Sequence, residues 1–202
     1  CICDDEACRE ASKQEIIRRY FDALNALAKG STSEKEAQKI ELLMNMAGIT
    51  VTDRKVVIKA LERAKETDGP AAALELRDGR IITGKTTNLL GASAALLLNV
   101  LKVLAGIDHE THIISPESIE PIQKLKVDYL KSKNPRLHTD EVLIALSASA
   151  ATNPQARLAL SQLPELAGCQ AHTSVMLSDV DIKIFKKLEV QLTSEAVYEH
   201  AL

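Results

Sequence analysis

The chain has 202 residues, 46% of them hydrophobic and 26% charged, enough apolar material for one substantial core with a smaller helical appendage. A net charge of −3 supplies no basic field, and an aromatic content of 2% without Trp supplies no stacking platform; both argue against nucleic acid as a partner, and the charge argues against an anionic membrane. Cysteines at positions 1, 3, 8 and 169 do not form the even framework of a small secreted domain, so a reducing, cytoplasmic setting is expected.

The acidic start Asp4-Asp5-Glu6 lacks the basic segment of a secretory leader. Cys1-Ile2-Cys3 reads as a strand end cut from something upstream, so a missing N-terminal domain of the same protein is expected as a packing partner. Asp4 and Asp5 can cap a helix whose apolar positions Ala7, Ala11, Ile17, Tyr20, Phe21, Leu24 and Leu27 recur at helical spacing up to Gly30. Ser33 with Glu36 has the form of a capping box for a second helix ending at Gly48, and Thr52 can cap a third to about Glu66. Residues 1–68 thus read as a small helical bundle, closed by Asp68-Gly69-Pro70.

Residues 69–202 read as an α/β unit. Ala73 to Leu76 and Arg80 to Thr83 flank Asp78-Gly79, the signature of a hairpin with a two-residue type I′ turn. Leu89 to Ala105 is too short and too interrupted by Ser93, Asn99 and Lys102 to span a membrane, and reads as a buried helix starting near Asn88. Thr111 to Ile114 is expected as a strand, and Ser115-Pro116 as the opening of a helix to about Lys131. Thr139 and Asn153-Pro154 open two further helices. Ala171 to Leu177 is a strand, Ser178 with Asp181 opens a helix to Leu188, and Val190 to Thr193 is the last strand. The order β-β-α-β-α-α-α-β-α-β predicts a three-layer α/β fold, with a mixed sheet of deaminase-like topology behind the helical bundle.

Two motifs imitate known chemistry, and a third signature is absent. Gly79 to Thr86 satisfies G-x-x-x-x-G-K-[ST], but its interior Arg80-Ile81-Ile82 is bulky and Gly79 is better used in the turn, so a phosphate-loop nucleotide hydrolase is the least favoured reading. His109-Glu110-Thr111-His112 spaces its histidines three apart on an expected strand edge, where odd spacing sends side chains to opposite faces rather than to one zinc. The helix starts that would carry H-x-E and P-C-x-x-C in a zinc deaminase carry Thr86-Thr87-Asn88 and Pro116-Glu117-Ser118-Ile119. Cys1, Cys3 and Cys8 read as small hydrophobes. No metal set and no cofactor is assigned.

One constellation remains. In open α/β sheets ligands gather outside the carboxyl ends of the strands, at helix N-termini. The residues expected there as ligand-binding are Lys85, Thr86, Thr87, Asn88, Ser115, Ser118 and Ser178, with Glu117, Asp179 and His172 as candidate catalytic groups. One cation, several hydroxyls and two carboxylates suit an anionic or phosphorylated small molecule. Equally, Ser115 and Ser178 can be plain helix caps and Lys85 a solvated charge.

Thr83-Gly84-Lys85-Thr86 with Leu89 to Ala95, Gly168 to His172, Val175 to Asp181 and Phe185 to Leu188 together resemble an uncharacterised bacterial family, domain of unknown function 1846. The resemblance covers the whole chain. It implies longer members with an additional N-terminal α/β region, some of them described as ATP-dependent zinc proteases, and no catalytic residues to carry over. Glu189, Ser194 and Ala196 stand where that family usually has Gly, Cys and Pro. Two functions follow as expectations: binding or turnover of an anionic small molecule, or a non-catalytic module that packs and self-associates into a homo-oligomer.

Overall fold

The computed structural model describes residues 4–199; Cys1 and Cys3, with the strand end read there, lie outside them. Asp4 caps α1 (Asp5–Ala28), its carboxylate accepting from the N–H groups of Glu6 and Ala7 at 3.1 and 2.9 Å, in an acidic first turn that suits the positive end of the helix dipole. α2 (Glu34–Ala47) folds back on α1 and ends at Gly48, whose φ of 65° is the left-handed cap glycine adopts without strain. Ile17, Phe21, Met44, Ile49 and Val57 form a small core there. A 3-10 turn over Val51–Asp53, boxed by Thr50 and Asp53, leads into α3 (Lys55–Thr67), whose Val56 and Ala60 lie directly on Ala73 of the sheet.

The sheet has four strands, β1 (Ala71–Glu75), β2 (Ile81–Lys85), β3 (Gln170–Thr173) and β4 (Gln191–Ser194), in the order β2-β1-β3-β4. β1 runs antiparallel to β2 and β3, and β3 is parallel to β4. Consequently β2, β3 and β4 deliver their carboxyl ends to one rim. The helices on the far side are α4 (Ala92–Leu104), α5 (Pro116–Lys124) continued by a π-helical turn over Leu125–Tyr129, α6 (Thr139–Ser149), α7 (Pro154–Leu160) and α8 (Asp179–Lys187). Period-two alternation divides the strands: Ala72, Leu74 and Ala171 join the main core with Leu96, Leu101, Leu146 and Phe185, while Ala73 meets α3 and His172 meets Phe21 of α1. The result is three layers, helix on sheet on helix.

Two expectations change. The strand over Thr111 to Ile114 is not formed; β1 pairs directly with β3, which leaves no slot for it. Ile113 and Ile114 are both buried, at 3% and 5% exposure, and so serve as a consecutive apolar anchor instead of the alternating pair a strand requires. The hairpin turn is also of another type. Only Gly79 has positive φ, at 83°, Gly79 N–H donates to Leu76 C=O at 2.9 Å, and Leu76 N–H to Arg80 C=O at 2.9 Å. This is a type I turn closed by a glycine bulge, the longer hairpin connection, and it spares Asp78 the left-handed conformation.

The phosphate-loop lookalike is thereby explained: Ile81–Lys85 is extended strand. A Cβ on Gly84 would stand 2.2 Å from the backbone nitrogen of Leu96, so this glycine lets α4 settle against β2. Among the described residues no helix is long and apolar enough to cross a membrane.

Candidate anion-binding cleft

Beside the rim where β2 and β3 end lies a cleft of about 70 Å³, between the N-terminus of α4, the segment 134–138 and the stretch from Val175 to Asp181. Its functional groups are Thr86, the backbone at Ala92 and Ser93, Arg136, His138, Ser178, Asp181 and Glu199. α4 begins at Gly91, which has no side chain to cap it, so the first-turn N–H groups have no side-chain acceptor where Ala92 and Ser93 line the cleft.

Arg136, Leu137 and His138 all border the cleft, and Leu137 is the buried one that anchors the other two. Leu137 is wholly buried; its N–H donates to Leu89 C=O at 2.9 Å and its C=O accepts from Gly91 N–H at 3.2 Å, a two-sided bridge to the approach of α4. On an extended segment the residues on either side of a buried one turn to the opposite face. The segment is held from behind by Lys126, 6% exposed, whose ammonium donates to Arg136 C=O at 2.6 Å and to Glu141 at 2.7 Å. Glu141 in turn accepts from His138 N–H at 2.8 Å.

Asp181 organises the cleft floor. Its Oδ2 lies 3.0 Å from His138 Nδ1 and accepts from the Ser178 hydroxyl at 2.7 Å, and its Oδ1 accepts from both the N–H and the hydroxyl of Thr139 at 2.9 Å. Burial alone would raise this carboxyl, but the hydrogen bonds from His138, Thr139 and Ser178 outweigh it and hold it at about 2. Correspondingly, the hydrogen bond to Asp181 raises His138 above the ordinary imidazole value, against the opposing effect of its partial burial. Ser178 also caps α8 by accepting from Asp181 N–H at 3.2 Å. The arrangement therefore presents a cation, an oriented imidazole, hydroxyls and free helix amides in a space sized for a few water-like groups. Arg136 is already engaged by Glu199 at 2.5 Å, so a carboxylate of the same chain occupies the position an anion would take.

Of the residues singled out from the sequence, Thr86 and Ser178 line this cleft. Lys85 is exposed at the end of β2, and Thr87 is used in a local turn, its hydroxyl accepting from Leu89 and Leu90 N–H at 3.2 and 3.0 Å. Asn88 is exposed and its C=O accepts from Gln123. Ser115 and Ser118 contact each other at 3.1 Å on the exposed start of α5, with Glu117 beside them in solvent, because the strand that would have brought them to the rim does not exist. Asp179 is turned outward, 79% exposed and 3.7 Å from Lys29 of α1. His172 is sealed under α1. The three candidate catalytic groups, Glu117, Asp179 and His172, therefore do not converge.

The residues missed are Arg136, His138 and Asp181. The alternation Arg136-Leu137-His138 before Thr139 was the available signal; it is too short to stand out from a loop. His109 and His112 lie in a loop outside any secondary structure, where His109 pairs only with its neighbour Glu110, and among the described residues no cluster of three His, Cys, Asp or Glu side chains is placed to hold a metal.

His172 belongs to a buried polar layer on the opposite face. Its Nδ1 lies 2.8 Å from Thr193 Oγ1 and its Nε2 3.3 Å from Glu195. Next to it Arg54, 1% exposed, donates to Thr193, Gln14, Gln170 and the carbonyls of Ala171 and Gln191. Desolvation lowers the Arg54 guanidinium to about 10.

Comparison with known proteins places the chain in one family. The model for "Domain of unknown function DUF1846, C-terminal" matches residues 52–202, and that for "Domain of unknown function DUF1846, N-terminal" matches residues 1–48. The chain is 59% identical over 198 residues to a UPF0371 protein of Corynebacterium aurimucosum, 54% over 198 residues to one of Corynebacterium glutamicum, and 48% over 199 residues to one of Streptococcus thermophilus. Each match covers 98% of this chain and 40% of the relative, so the chain spans about two fifths of the length of these proteins. The expectation that the N-terminal domain lies wholly outside the chain, as a separate packing partner, is corrected by the match at residues 1–48, which assigns α1 and α2 to that domain.

Proposed function

The chain belongs to the DUF1846 family, and from that premise we propose that the cleft beside α4 binds the anionic end of a small molecule. The observation that carries this reading is the convergence of Arg136, the oriented His138 and the uncapped first turn of α4 on one cleft. Thr86 adds a hydroxyl donor, while the Ser178 hydroxyl is already donated to Asp181, and Lys85, one residue before Thr86 and exposed, adds attraction at longer range. A space of about 70 Å³ suits a phosphate-sized group, with the remainder of the molecule outside, and is well below the ~300 Å³ of pockets that enclose whole drug-sized ligands. The hairpin-first mixed sheet with helical crossovers supports the deaminase-like analogy in topology alone. Cys8 and Cys169, both free, support a reducing cytoplasmic location.

Thermal unfolding in the presence of phosphate, pyrophosphate and nucleotides tests the site. A ligand at 100 times its Kd stabilises by about 2.7 kcal/mol. We expect that shift to vanish in Arg136→Ala and to weaken in Lys85→Ala; a flat screen for every anion rejects the reading.

A second reading, self-association without catalysis, is favoured by Leu42, Leu43 and Met46 on α2, which are 60%, 57% and 77% exposed. Sedimentation over a dilution series tests it, and a mass independent of concentration at the monomer value rejects it.

A further inference from the structure

We propose that the cleft selects a doubly charged phosphate group over a carboxylate, because His138 must be protonated to engage the anion, so that filling the site draws a proton from solution. This rests on the anion-site reading above and goes beyond it in naming the ligand class and the proton.

The argument is about which nitrogen carries which hydrogen. The Asp181 carboxylate is 3% exposed and accepts at His138 Nδ1 from 3.0 Å, and an ionised carboxylate can only accept. Nδ1 is therefore the protonated nitrogen of the neutral ring, which leaves Nε2 as a bare lone pair. Nε2 has no partner among the described residues, and the side chain is 32% exposed where it lines the cleft. A lone pair repels an oxyanion; Nε2 becomes a donor only in the imidazolium. Anion binding and proton uptake at this ring are thus one event.

The charges around the ring set the direction. Asp181 faces it from α8 and favours the charged form. Lys126 and Glu141 face it from the π turn and from α6, but they pair with each other at 2.7 Å, so their influences largely cancel. Arg136 on the same segment would oppose protonation, and Glu199 from the chain's last described residues neutralises it at 2.5 Å. An incoming anion takes over the role of Glu199. Asp181 offsets the imidazolium from the Nδ1 side; on the cleft side Nε2–H and Arg136 remain as two charged donors, which the several oxygens of a tetrahedral dianion can meet together and a single carboxylate meets with half the charge.

Titration calorimetry of the 202-residue chain with sulfate tests this, since sulfate does not itself titrate near neutrality. Run in two buffers of different ionisation enthalpy at pH 8, it counts the protons taken up. We expect a fractional uptake that falls toward zero by pH 6, an affinity that weakens by up to about tenfold per pH unit above the His138 value, and acetate binding at least about tenfold weaker than sulfate at pH 6. His138→Asn, which can still donate to Asp181, should bind without uptake and without the pH slope. Sulfate binding with no proton count at any pH, or acetate binding as tightly as sulfate, overturns the inference and leaves the anion site standing. Absence of sulfate and phosphate binding even at pH 6 overturns both. The wild-type proton count decides the matter if the variant fails to fold.

Discussion

The two faces of the sheet are covered by helices but held by different physics. Toward α4, α6 and α8 the contacts are Leu96, Leu101, Leu146 and Phe185 on Ala72, Leu74 and Ala171, all fully buried, and stability there comes from apolar area and close packing. Toward α1 and α3 the sheet offers His172 and Thr193, and the guanidinium of Arg54 lies among five acceptors with no carboxylate in ion-pair contact among the described residues. An apolar face specifies volume and tolerates another shape of equal size. A polar layer specifies direction, because each donor lost leaves acceptors buried and unsatisfied. The comparison teaches that α1 and α3 are seated on the sheet by geometry as much as by hydrophobicity.

The largest expected effect breaks that layer. Arg54→Ala removes all five of these hydrogen bonds at once and should cost about 3 kcal/mol, which at about 2–4 °C per kcal/mol lowers the melting temperature by about 6–12 °C. Leu101→Met on the other face should cost about 1 kcal/mol at most. Equal losses from the two changes would erase the distinction.

The two buried-side histidines sharpen it through pH. Burial lowers His172, with Glu195 acting in the opposite sense, so its contribution to stability is present above the ordinary 6.5 and is lost as pH falls below that value. Asp181 raises His138, so its contribution is present below 6.5 and is lost as pH rises through its higher folded value. Urea unfolding between pH 5 and 9, the span in which histidines titrate, should therefore show His172→Gln flattening the acid side of the profile and His138→Gln flattening the alkaline side. The same slope change in both variants would contradict the assignment.

A smaller effect concerns the chain's own carboxylate on Arg136. Glu199→Gln frees the guanidinium and should tighten sulfate binding about threefold to tenfold, in line with an exposed pair worth ~1 kcal/mol, as read by calorimetry. Smallest is Glu189→Gly. Glu189 has a φ of 57° just beyond α8, a conformation glycine adopts freely, and it stands where the resemblance to the family places Gly. That change should stabilise by about 0.5–1 kcal/mol in thermal unfolding; a loss of stability would show that its side chain contributes contacts that outweigh the strain.

Much of the local structure was legible in the residues themselves. Asp4, Asn153 and Ser178 accept from the helix N–H groups that their position predicts, at 2.9 to 3.3 Å, because a cap needs only a short oxygen-bearing side chain before an apolar period. The hairpin and the buried helix from Ala92 to Leu104 were equally readable. The strand at Thr111 to Ile114 was misread, since four residues with two adjacent isoleucines carry the same composition whether they enter a sheet or only plug a core.

By itself, then, the sequence determined the helices, the turn positions and the α/β character, all set by neighbours a few residues apart. Only the tertiary structure decided that β1 lies between β2 and β3, that Arg54 and His172 meet beneath α1, and that His138 and Asp181, 43 positions apart, share a proton-bearing contact. Those arrangements depend on which apolar surfaces find each other, and no local pattern encodes the direction of a side chain whose partner lies on another element.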